Sequence, residues 1–194
     1  EMIKDEIITT PEETSDAINE TIKEAKRMRK IILNMLELSS LENENLRPIE
    51  QIDISKAIPP IVSSLEIELK EKNIKVIEHY EPLFIGINSD DVDKLVRNLL
   101  ENAIKYNKDN GSIFITVSSK NKTLTVKDTG IGISEEDKTR IFERFYRVNK
   151  ARSVENGGTG LGLAIVKYIA NYYDYDIEVD STLGKGSAFT IHLQ

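Results

Sequence analysis

The sequence contains no cysteine and only two histidines among its 194 residues. Without cysteine the chain can form neither a disulfide framework nor a thiolate metal site, which fits a reducing compartment. No apolar run approaches the roughly 20 residues of a membrane span, and the N-terminus lacks the basic-then-apolar pattern of a signal peptide. We therefore expect a chain that is soluble as it stands.

Positive charge is also scarce, because 26 lysines and arginines face 33 acidic residues and the net charge is −7. A protein that binds nucleic acid needs a basic face to neutralise phosphates, so we expect no nucleic-acid partner. The hydrophobic content of 39% suffices for one packed domain and a smaller appendage. Because the chain opens on Glu1 in what resembles the middle of a helix, we expect a fragment of a longer, membrane-anchored protein.

The first 46 residues have the pattern of paired helices. Residues 1–8 resemble the end of one helix, and a capping box of Thr10 and Glu13 around Pro11 predicts a second that runs to about Glu44. A coiled-coil-like seam is predicted from apolar residues at steps of three and four, namely Ile18, Ile22, Ala25, Met28, Ile32, Met35 and Leu36. Such a helix needs a partner, the alternative being that it folds onto its own domain.

The remaining sequence alternates between helices and antiparallel hairpins. Polar residues and Pro48 predict a domain boundary after residue 46. Ser89 is predicted to cap the helix that follows it. Further helices are predicted over 55–72, 134–142 and 160–173, and strands over 74–80, 84–87, 112–119, 123–127, 177–180 and 187–193. The predicted fold class is α+β, a two-layer α/β sandwich with a mixed sheet, preceded by the long helix.

A polar stripe distinguishes the helix that follows Ser89. At roughly 100° per residue, Asn98, Asn102 and Lys105 share one face of this helix. Apolar residues occupy the other side, namely Val92, Val96, Leu99, Leu100 and Ala103. Two amides and an ammonium in a row suit a magnesium–phosphate group, although a solvated polar face is the alternative.

Two glycine-rich segments suit different parts of a ligand. Asp128 ends a strand and is followed by Gly130 and Gly132, so backbone can approach a flat ligand while the carboxylate accepts a hydrogen bond. An ordinary turn would use the same residues.

Residues 156–163 contain four glycines and enter a helix, where converging N–H groups favour phosphate. A Rossmann turn is disfavoured because no apolar strand precedes this loop, and no Walker-type motif is present.

The segment between the glycine loops is predicted to be a basic lid. Its aromatic part, residues 141–148, can anchor on the core. The residues that follow have little to bury, and the segment carries Arg147, Lys150 and Arg152. Closure of such a lid would exclude water from a phosphate. The alternative is a plain solvated loop.

Four motifs in this order resemble the ATP-binding domain of sensor histidine kinases. They are the stripe helix over 98–106, the Asp-Thr-Gly-Ile-Gly-Ile segment at 128–133, the Phe-Glu-Arg-Phe-Tyr segment at 142–146 and the glycine loop at 158–162. With the helical segment, the resemblance covers essentially the whole chain. It implies the α/β sandwich of the GHKL ATPases and binding of ATP with Mg²⁺.

The resemblance also implies roles for individual residues. Asn102 would supply a carbonyl oxygen to Mg²⁺, and Asp128 would accept a hydrogen bond from the adenine amino group. The implied catalytic residues are Asn98, Lys105, Arg147 and Arg152. The implied ATP-binding residues are Asn98, Asn102, Lys105, Tyr106, Asp128, Gly130, Gly132, Ile133, Tyr146, Arg152, Gly158, Thr159, Gly160, Leu161 and Gly162. Ser187 stands where such proteins often have threonine, a difference expected to matter little.

The same resemblance implies a protein-histidine kinase whose phosphoacceptor histidine lies upstream. Residues 1–46 would be a partial dimerisation and phosphotransfer segment, and residues 47–194 the catalytic domain. His79 and His192 lie in predicted strands, so both are interpreted as structural, and the fragment would not autophosphorylate without the missing histidine. The implied partners are ATP or ADP, a response regulator receiver domain and, in the full-length protein, a second copy. The implied location is the cytoplasmic portion of a membrane-anchored bacterial sensor.

Two alternatives remain open. The chain could be a nucleotide-binding scaffold or regulatory module that no longer transfers phosphate, with its long helix serving to pair with a partner. It could instead be another GHKL member, such as an ATP-driven clamp or a serine-directed kinase. The segment at 142–146 and the coiled-coil-like helix favour the histidine-kinase branch.

Overall fold

The computed structural model describes residues 10–42, 48–148 and 159–194, and of four residues near the end of the first helix only the backbone. We number the elements in chain order. The helices are α1 Pro11–Glu42, α2 Ile54–Ser64, α3 Glu66–Glu71, α4 Ser89–Lys105, α5 Glu135–Lys138 and α6 Gly162–Tyr172. The strands are β1 Glu50–Asp53, β2 Lys75–Tyr80, β3 Phe84–Ile87, β4 Ser112–Ser118, β5 Thr123–Asp128, β6 Asp176–Thr182 and β7 Gly186–His192.

The main sheet has five strands in the order β2-β4-β5-β7-β6. β2 and β4 run parallel, whereas the other neighbouring pairs are antiparallel. A separate antiparallel pair joins β1 to β3. The predicted fold class, a mixed sheet in an α/β sandwich, is confirmed.

The core lies between this sheet and a layer formed by α2, α4 and α6. Alternation along β4 directs Ile113, Ile115 and Val117 into the core, where each is fully buried. On β5 the same alternation places Asp128 on the side of Leu124 and Val126, at the end of the strand. The strand period therefore turns this carboxylate towards the helices.

The long helix α1 begins as predicted. The backbone N–H of Thr10 donates to Glu13 Oε2 at 3.1 Å, and that of Glu13 donates to Thr10 Oγ1 at 3.2 Å. This reciprocal pair satisfies two N–H groups that a helix start leaves without partners. Within the residues that the structure describes, no helix is both long and apolar enough to cross a membrane.

Two faces of α1 have different environments. The predicted seam is open to solvent, and the exposed fractions of its large apolar residues lie between 47% for Ile22 and 62% for Met28. Another face packs against α6, and Leu38 on α1 is buried in the hydrophobic core. The helix thus folds onto its own domain, but through residues other than the seam.

Some element boundaries differ from the prediction. The helix predicted over 55–72 is divided at Leu65 into α2 and α3, and β1 was not predicted. The N-cap of α4 is Asn88, whose Oδ1 accepts from the N–H of Asp90 at 3.0 Å, so the prediction of Ser89 was wrong by one residue. Asparagine and serine are comparable N-caps, so adjacent candidates cannot be ranked from sequence. The helix predicted to reach Phe142 ends at Lys138.

Candidate active site

The polar stripe of α4 lies opposite its buried face, as predicted. Val96 and Leu99 are at most 1% exposed, while Asn98 and Asn102 are partly accessible. Asn98 Nδ2 donates to the carbonyl of Lys94 at 2.7 Å, which fixes the amide and leaves its Oδ1 directed elsewhere. A Cβ added to Gly162 would lie 2.7 Å from that Oδ1. The start of α6 and the stripe are therefore in direct contact.

A second group of residues, here called the Asp128 cluster, consists of Asp128, Gly130 and Ser187. Asp128 is 4% exposed, and its Oδ1 accepts from the N–H of Gly130 at 2.7 Å and that of Ser187 at 3.3 Å. Burial raises the pKa of this carboxyl, and the two backbone donors oppose that shift. Among the described residues, none donates to Oδ2. That oxygen remains as an acceptor for a ligand.

Gly130 brings the Asp128 cluster into contact with α4. A Cβ at this position would lie 2.1 Å from the carbonyl oxygen of Tyr106, so no other residue fits without displacing backbone. The same oxygen accepts from the N–H of Ile131 at 3.1 Å. Tyr106 therefore lies between the strand-end motif and the stripe.

The C-terminus of α4 is held by a lysine that the sequence did not indicate. Lys72 Nζ donates to the carbonyls of Ile104, Lys105 and Asn107 at 3.0, 2.7 and 3.3 Å. The carbonyls of Ile104 and Lys105 lie at the negative end of the helix dipole and lack partners within the helix, while that of Asn107 lies just beyond the C-cap. The contact fixes the segment that presents Lys105 and Tyr106.

Four basic residues, here called the cationic cluster, are linked by their charge effects at the Lys105 end of the stripe: Arg27, Lys30, Lys105 and Arg147. Burial lowers the pKa of Lys105 to about 8, with further lowering by the charges of Arg147 and Lys30. Burial and the charge of Arg27 lower the pKa of Arg147. Lys105 Nζ also lies 5.1 Å from the ring centre of Tyr106.

The guanidinium groups of this cluster are not fully paired. Arg27 Nε, Arg147 Nε and Arg147 Nη2 are buried and have no hydrogen-bond partner in the part of the chain that the structure describes. Buried polar groups in folded proteins are usually hydrogen-bonded. Lys30 does pair with Glu101 at 2.9 Å. The cluster presents surplus N–H donors of positive charge, which is the arrangement that an anion would complete.

Helix α1 supplies part of this arrangement, which sequence reasoning missed. Besides Arg27 and Lys30, Asn34 Nδ2 donates to Thr159 Oγ1 at 3.0 Å. The only sequence signal was a row of polar positions at 27, 30 and 34, spaced by helical steps away from the apolar seam.

The second glycine loop is described from Thr159 onward. Gly160 has φ +71°, a left-handed conformation that favours glycine, and its carbonyl accepts from the N–H of Phe145 at 2.9 Å. Leu161 is fully buried and precedes α6. Predicted residues Arg152 and Gly158, with the rest of 149–158, lie outside the described residues.

Three other predicted residues are engaged within the protein. The hydroxyl of Tyr146 donates to Asp137 Oδ1 at 2.5 Å, and its ring lies 4.2 Å from the Arg140 guanidinium carbon. The N–H of Ile133 donates to Ser181 Oγ at 2.8 Å. Gly132 has φ +69° and lies against the backbone of β6 at Thr182. Their contacts with nucleotide stay predictions.

The metal prediction rests on Asn102 alone. Within the described ranges, no group of three histidine, cysteine or acidic side chains could hold an ion. This donor set fits Mg²⁺, which retains several waters and is commonly bound by one or two side chains together with substrate phosphates. It would not fit a metal held by protein ligands alone. His79 and His192 lie in β2 and β7, as predicted.

Comparison with known proteins identifies the family. Residues 87–194 match the family described as histidine kinase-, DNA gyrase B- and HSP90-like ATPases. Sensor histidine kinase WalK of Bacillus subtilis is 33% identical over 180 residues, which is 89% of this chain and 29% of WalK. Sensor histidine kinase RppB of Synechocystis is 37% identical over 181 residues, 88% of this chain and 39% of RppB. The chain therefore spans well under half of either relative.

Solved structures share the fold. Histidine kinase ThkA, in its complex with response regulator protein TrrA, superimposes with a TM-score of 0.75 over 99% of this chain and 54% of that chain, at 23% identity. The matched range 87–194 contains the stripe, the Asp128 cluster and the start of α6. The chain belongs to the histidine kinase-, DNA gyrase B- and HSP90-like ATPases, and contains the ATP-binding catalytic domain of a sensor histidine kinase.

Proposed function

We propose that this chain transfers the γ-phosphate of ATP to a histidine that lies upstream of Glu1 in the full protein, for relay to the receiver domain of a response regulator. The observation that carries the proposal is the juxtaposition of the cationic cluster with the amide stripe of α4. The Asp128 cluster lies on the other side of Tyr106. Together they provide separate partners for a purine and for a chain of phosphates.

The purine would be recognised at the Asp128 cluster. Asp128 Oδ2 would accept a hydrogen bond from the adenine amino group, directly or through water, while Oδ1 stays bound to backbone N–H groups. Gly130 and Gly132 allow the close backbone contacts with Tyr106 and Thr182 that shape this part of the site, and Tyr106 and Ile133 would contact the ring. Discrimination against guanine would follow because its carbonyl would face a carboxylate.

The phosphates would lie between the stripe and the start of α6. Lys105 and Arg147 would neutralise their charge, and the backbone from Gly158 to Gly162, with Thr159 and Leu161, would donate N–H groups to them. Asn98 would position the phosphates, Tyr146 would brace the lid, and Arg152 would meet the γ-phosphate. Asn102 would hold Mg²⁺, which supplies charge neutralisation across the phosphate oxygens when bound.

Phosphoryl transfer asks this domain mainly for positioning and charge neutralisation. An imidazole nitrogen of the upstream histidine would attack the γ-phosphorus in line. The bond from phosphorus to the bridging oxygen would break, ADP would leave, and the imidazole would lose its proton. The nucleophile thus comes from outside the residues described here, and this fragment would not autophosphorylate.

The arrangement of the full protein follows from the same proposal. Residues 1–46 would belong to a dimerisation and phosphotransfer segment that pairs with a second copy through the exposed seam, and residues 47–194 would form the catalytic domain. The proposed location is the cytoplasmic side of a membrane-anchored bacterial sensor. The response regulator in the ThkA complex supports a receiver domain as partner.

Calorimetric titration with ADP and with a non-hydrolysable ATP analogue tests the proposal. We expect one saturable site per chain whose affinity increases with Mg²⁺. Asn102→Ala should remove most of the Mg²⁺ dependence with little change in Tm, because a partly accessible amide contributes little packing. Asn171→Ala, an exposed asparagine on α6, is the matched control. A folded chain that binds neither nucleotide would favour the scaffold alternative, in which the motifs are remnants.

A further inference from the structure

Helix α1 contacts the candidate site through a polar face. Leu38 anchors the helix in the core at 4% exposure, and Asn34 reaches Thr159 at 3.0 Å. One turn earlier, Lys30 reaches Glu101 on the stripe helix at 2.9 Å. These three contacts extend along α1 towards its N-terminus and lead to Arg27. The face is therefore held against the phosphate side of the site.

Arg27 lies at the end of this row, and one N–H group of its guanidinium is buried without an acceptor among the described residues. Its Nη1 donates to the carboxylate of Glu24 at 3.2 and 3.4 Å, within the helix. Its Nε is buried and has no partner among the described residues. The Nε and Nη2 of Arg147 are likewise buried and have no partner among those residues. Three buried donors on two guanidinium groups are thus without acceptors within 10–42, 48–148 and 159–194.

The positive charges of the two guanidinium groups also act on each other. The charge of Arg27 is the main charge effect that lowers the pKa of Arg147, after burial. Like charges that face each other in a partly buried place are unfavourable unless an anion lies between them. Planar guanidinium groups bind phosphate through parallel N–H donors.

We propose that Arg27 is a phosphate-binding residue of the site, which acts with Arg147 to hold the terminal phosphate of a bound nucleoside triphosphate. This inference rests on the proposed function, and adds a phosphate-binding residue from outside the range 87–194 that matches the family. The long helix then contributes directly to nucleotide binding. It also makes the affinity for triphosphate depend on where α1 lies.

The test compares affinities for ADP and for a non-hydrolysable ATP analogue, by calorimetry with Mg²⁺. Arg27→Gln should weaken binding of the analogue about tenfold, the effect of losing one charge-assisted hydrogen bond. Binding of ADP should change less than about twofold. Arg29→Gln is the matched control, because Arg29 is an exposed arginine on the same helix. Arg27→Lys keeps the charge but loses the forked pair of N–H donors. Its affinity for the analogue should lie between those of the wild type and Arg27→Gln.

Several outcomes would overturn the inference. They are an analogue affinity unchanged in Arg27→Gln, an equal loss for ADP and the analogue, or an equal loss in Arg29→Gln. If the glutamine variant is unfolded by circular dichroism, the ratio of the two affinities in Arg27→Lys decides. A wild-type chain that binds neither nucleotide overturns the proposed function and this inference with it. A wild-type chain that binds both, beside an unaffected Arg27→Gln, overturns the inference alone.

Discussion

The Asp128 cluster and the cationic cluster differ in how far the fold satisfies their hydrogen bonds. In the first, folding supplies two backbone donors to one carboxylate oxygen, so the group is held rigidly before any ligand arrives. In the second, folding collects buried donors, and the residues that the structure describes supply no acceptor for three of them. A flat, uncharged ring can be recognised by a carboxylate whose position backbone hydrogen bonds already fix. A polyanion is recognised instead by positive charge that the fold leaves uncompensated.

This difference predicts opposite responses to substitution. Removing a group from the Asp128 cluster should destabilise the chain, because it leaves buried N–H groups without an acceptor. Removing a charge from the cationic cluster should stabilise the ligand-free chain while it weakens binding. Stability would thus be lost at one cluster and gained at the other.

The largest effect is expected at Asp128. Asp128→Ala should lower the free energy of unfolding by about 2 kcal/mol, since two N–H groups lose their acceptor. Asp128→Asn keeps an acceptor oxygen and should leave Tm nearly unchanged. Both variants should weaken ADP binding about 100-fold, through the lost contact with the amino group. Calorimetry and thermal melts measure the two effects, with exposed Asp176→Asn as control. Intact ADP binding in Asp128→Asn would show that the carboxylate does not read the base.

A pH series should change affinity at the cationic cluster. With the pKa of Lys105 at about 8, the ammonium is mostly charged at pH 7 and mostly neutral at pH 9. Affinity for the triphosphate analogue should therefore fall about tenfold across this range. Lys105→Arg stays charged and should flatten the profile. An identical slope in both proteins would assign the pH dependence to another group.

The stability of the ligand-free chain should change with pH in the opposite direction. Lys105 has a folded pKa of about 8, below its ordinary value of 10.5. Between these values the unfolded chain binds more protons than the folded one, so stability should rise with pH across this window. Denaturant titrations at pH 8 and 10 measure the change. The rise should be smaller in Lys105→Met, which lacks the titrating group.

Arg147→Met should raise the free energy of unfolding of the ligand-free chain by about 1 kcal/mol, because two unpaired buried donors and a repulsive charge are removed. Urea unfolding without nucleotide measures this gain. Exposed Arg29→Met should change stability by less than about 0.5 kcal/mol. A destabilised Arg147→Met would mean that this guanidinium is paired in solution, and the contrast between the two clusters would fail.

The smallest effect is expected at Ser187. Its hydroxyl lies 2.9 Å from Ser181 Oγ, but its contact with Asp128 is made by the backbone N–H, which alanine retains. Ser187→Ala should cost about 0.5–1 kcal/mol of stability and leave ADP affinity within about twofold. A tenfold loss of affinity would show that the hydroxyl belongs to the site.

Helical period explains what the sequence could predict. The split of α4 into a buried face and an amide stripe follows from residue spacing, and strand alternation carries Asp128 to the inner face of β5. Both are local patterns. The position of the stripe beside Gly162, by contrast, joins residues that are 64 positions apart, and only the order of the motifs indicated it.

The missed features are those without a local pattern. β1 has four residues with no apolar alternation and exists through its pairing with β3. Lys72 could not be predicted to hold the end of α4, because its acceptors are backbone carbonyls more than 30 residues away. On α1 the helical spacing of the apolar seam was the clear pattern in the sequence. The polar positions around Arg27 gave no separate indication that they contact the site.

One backbone hydrogen bond, from the N–H of Phe145 to the carbonyl of Gly160, joins the two ends of the segment between them. The entropy of closing a chain grows only with the logarithm of its length, so doubling such a segment costs about 0.6 kcal/mol. Length here is therefore nearly neutral for folding.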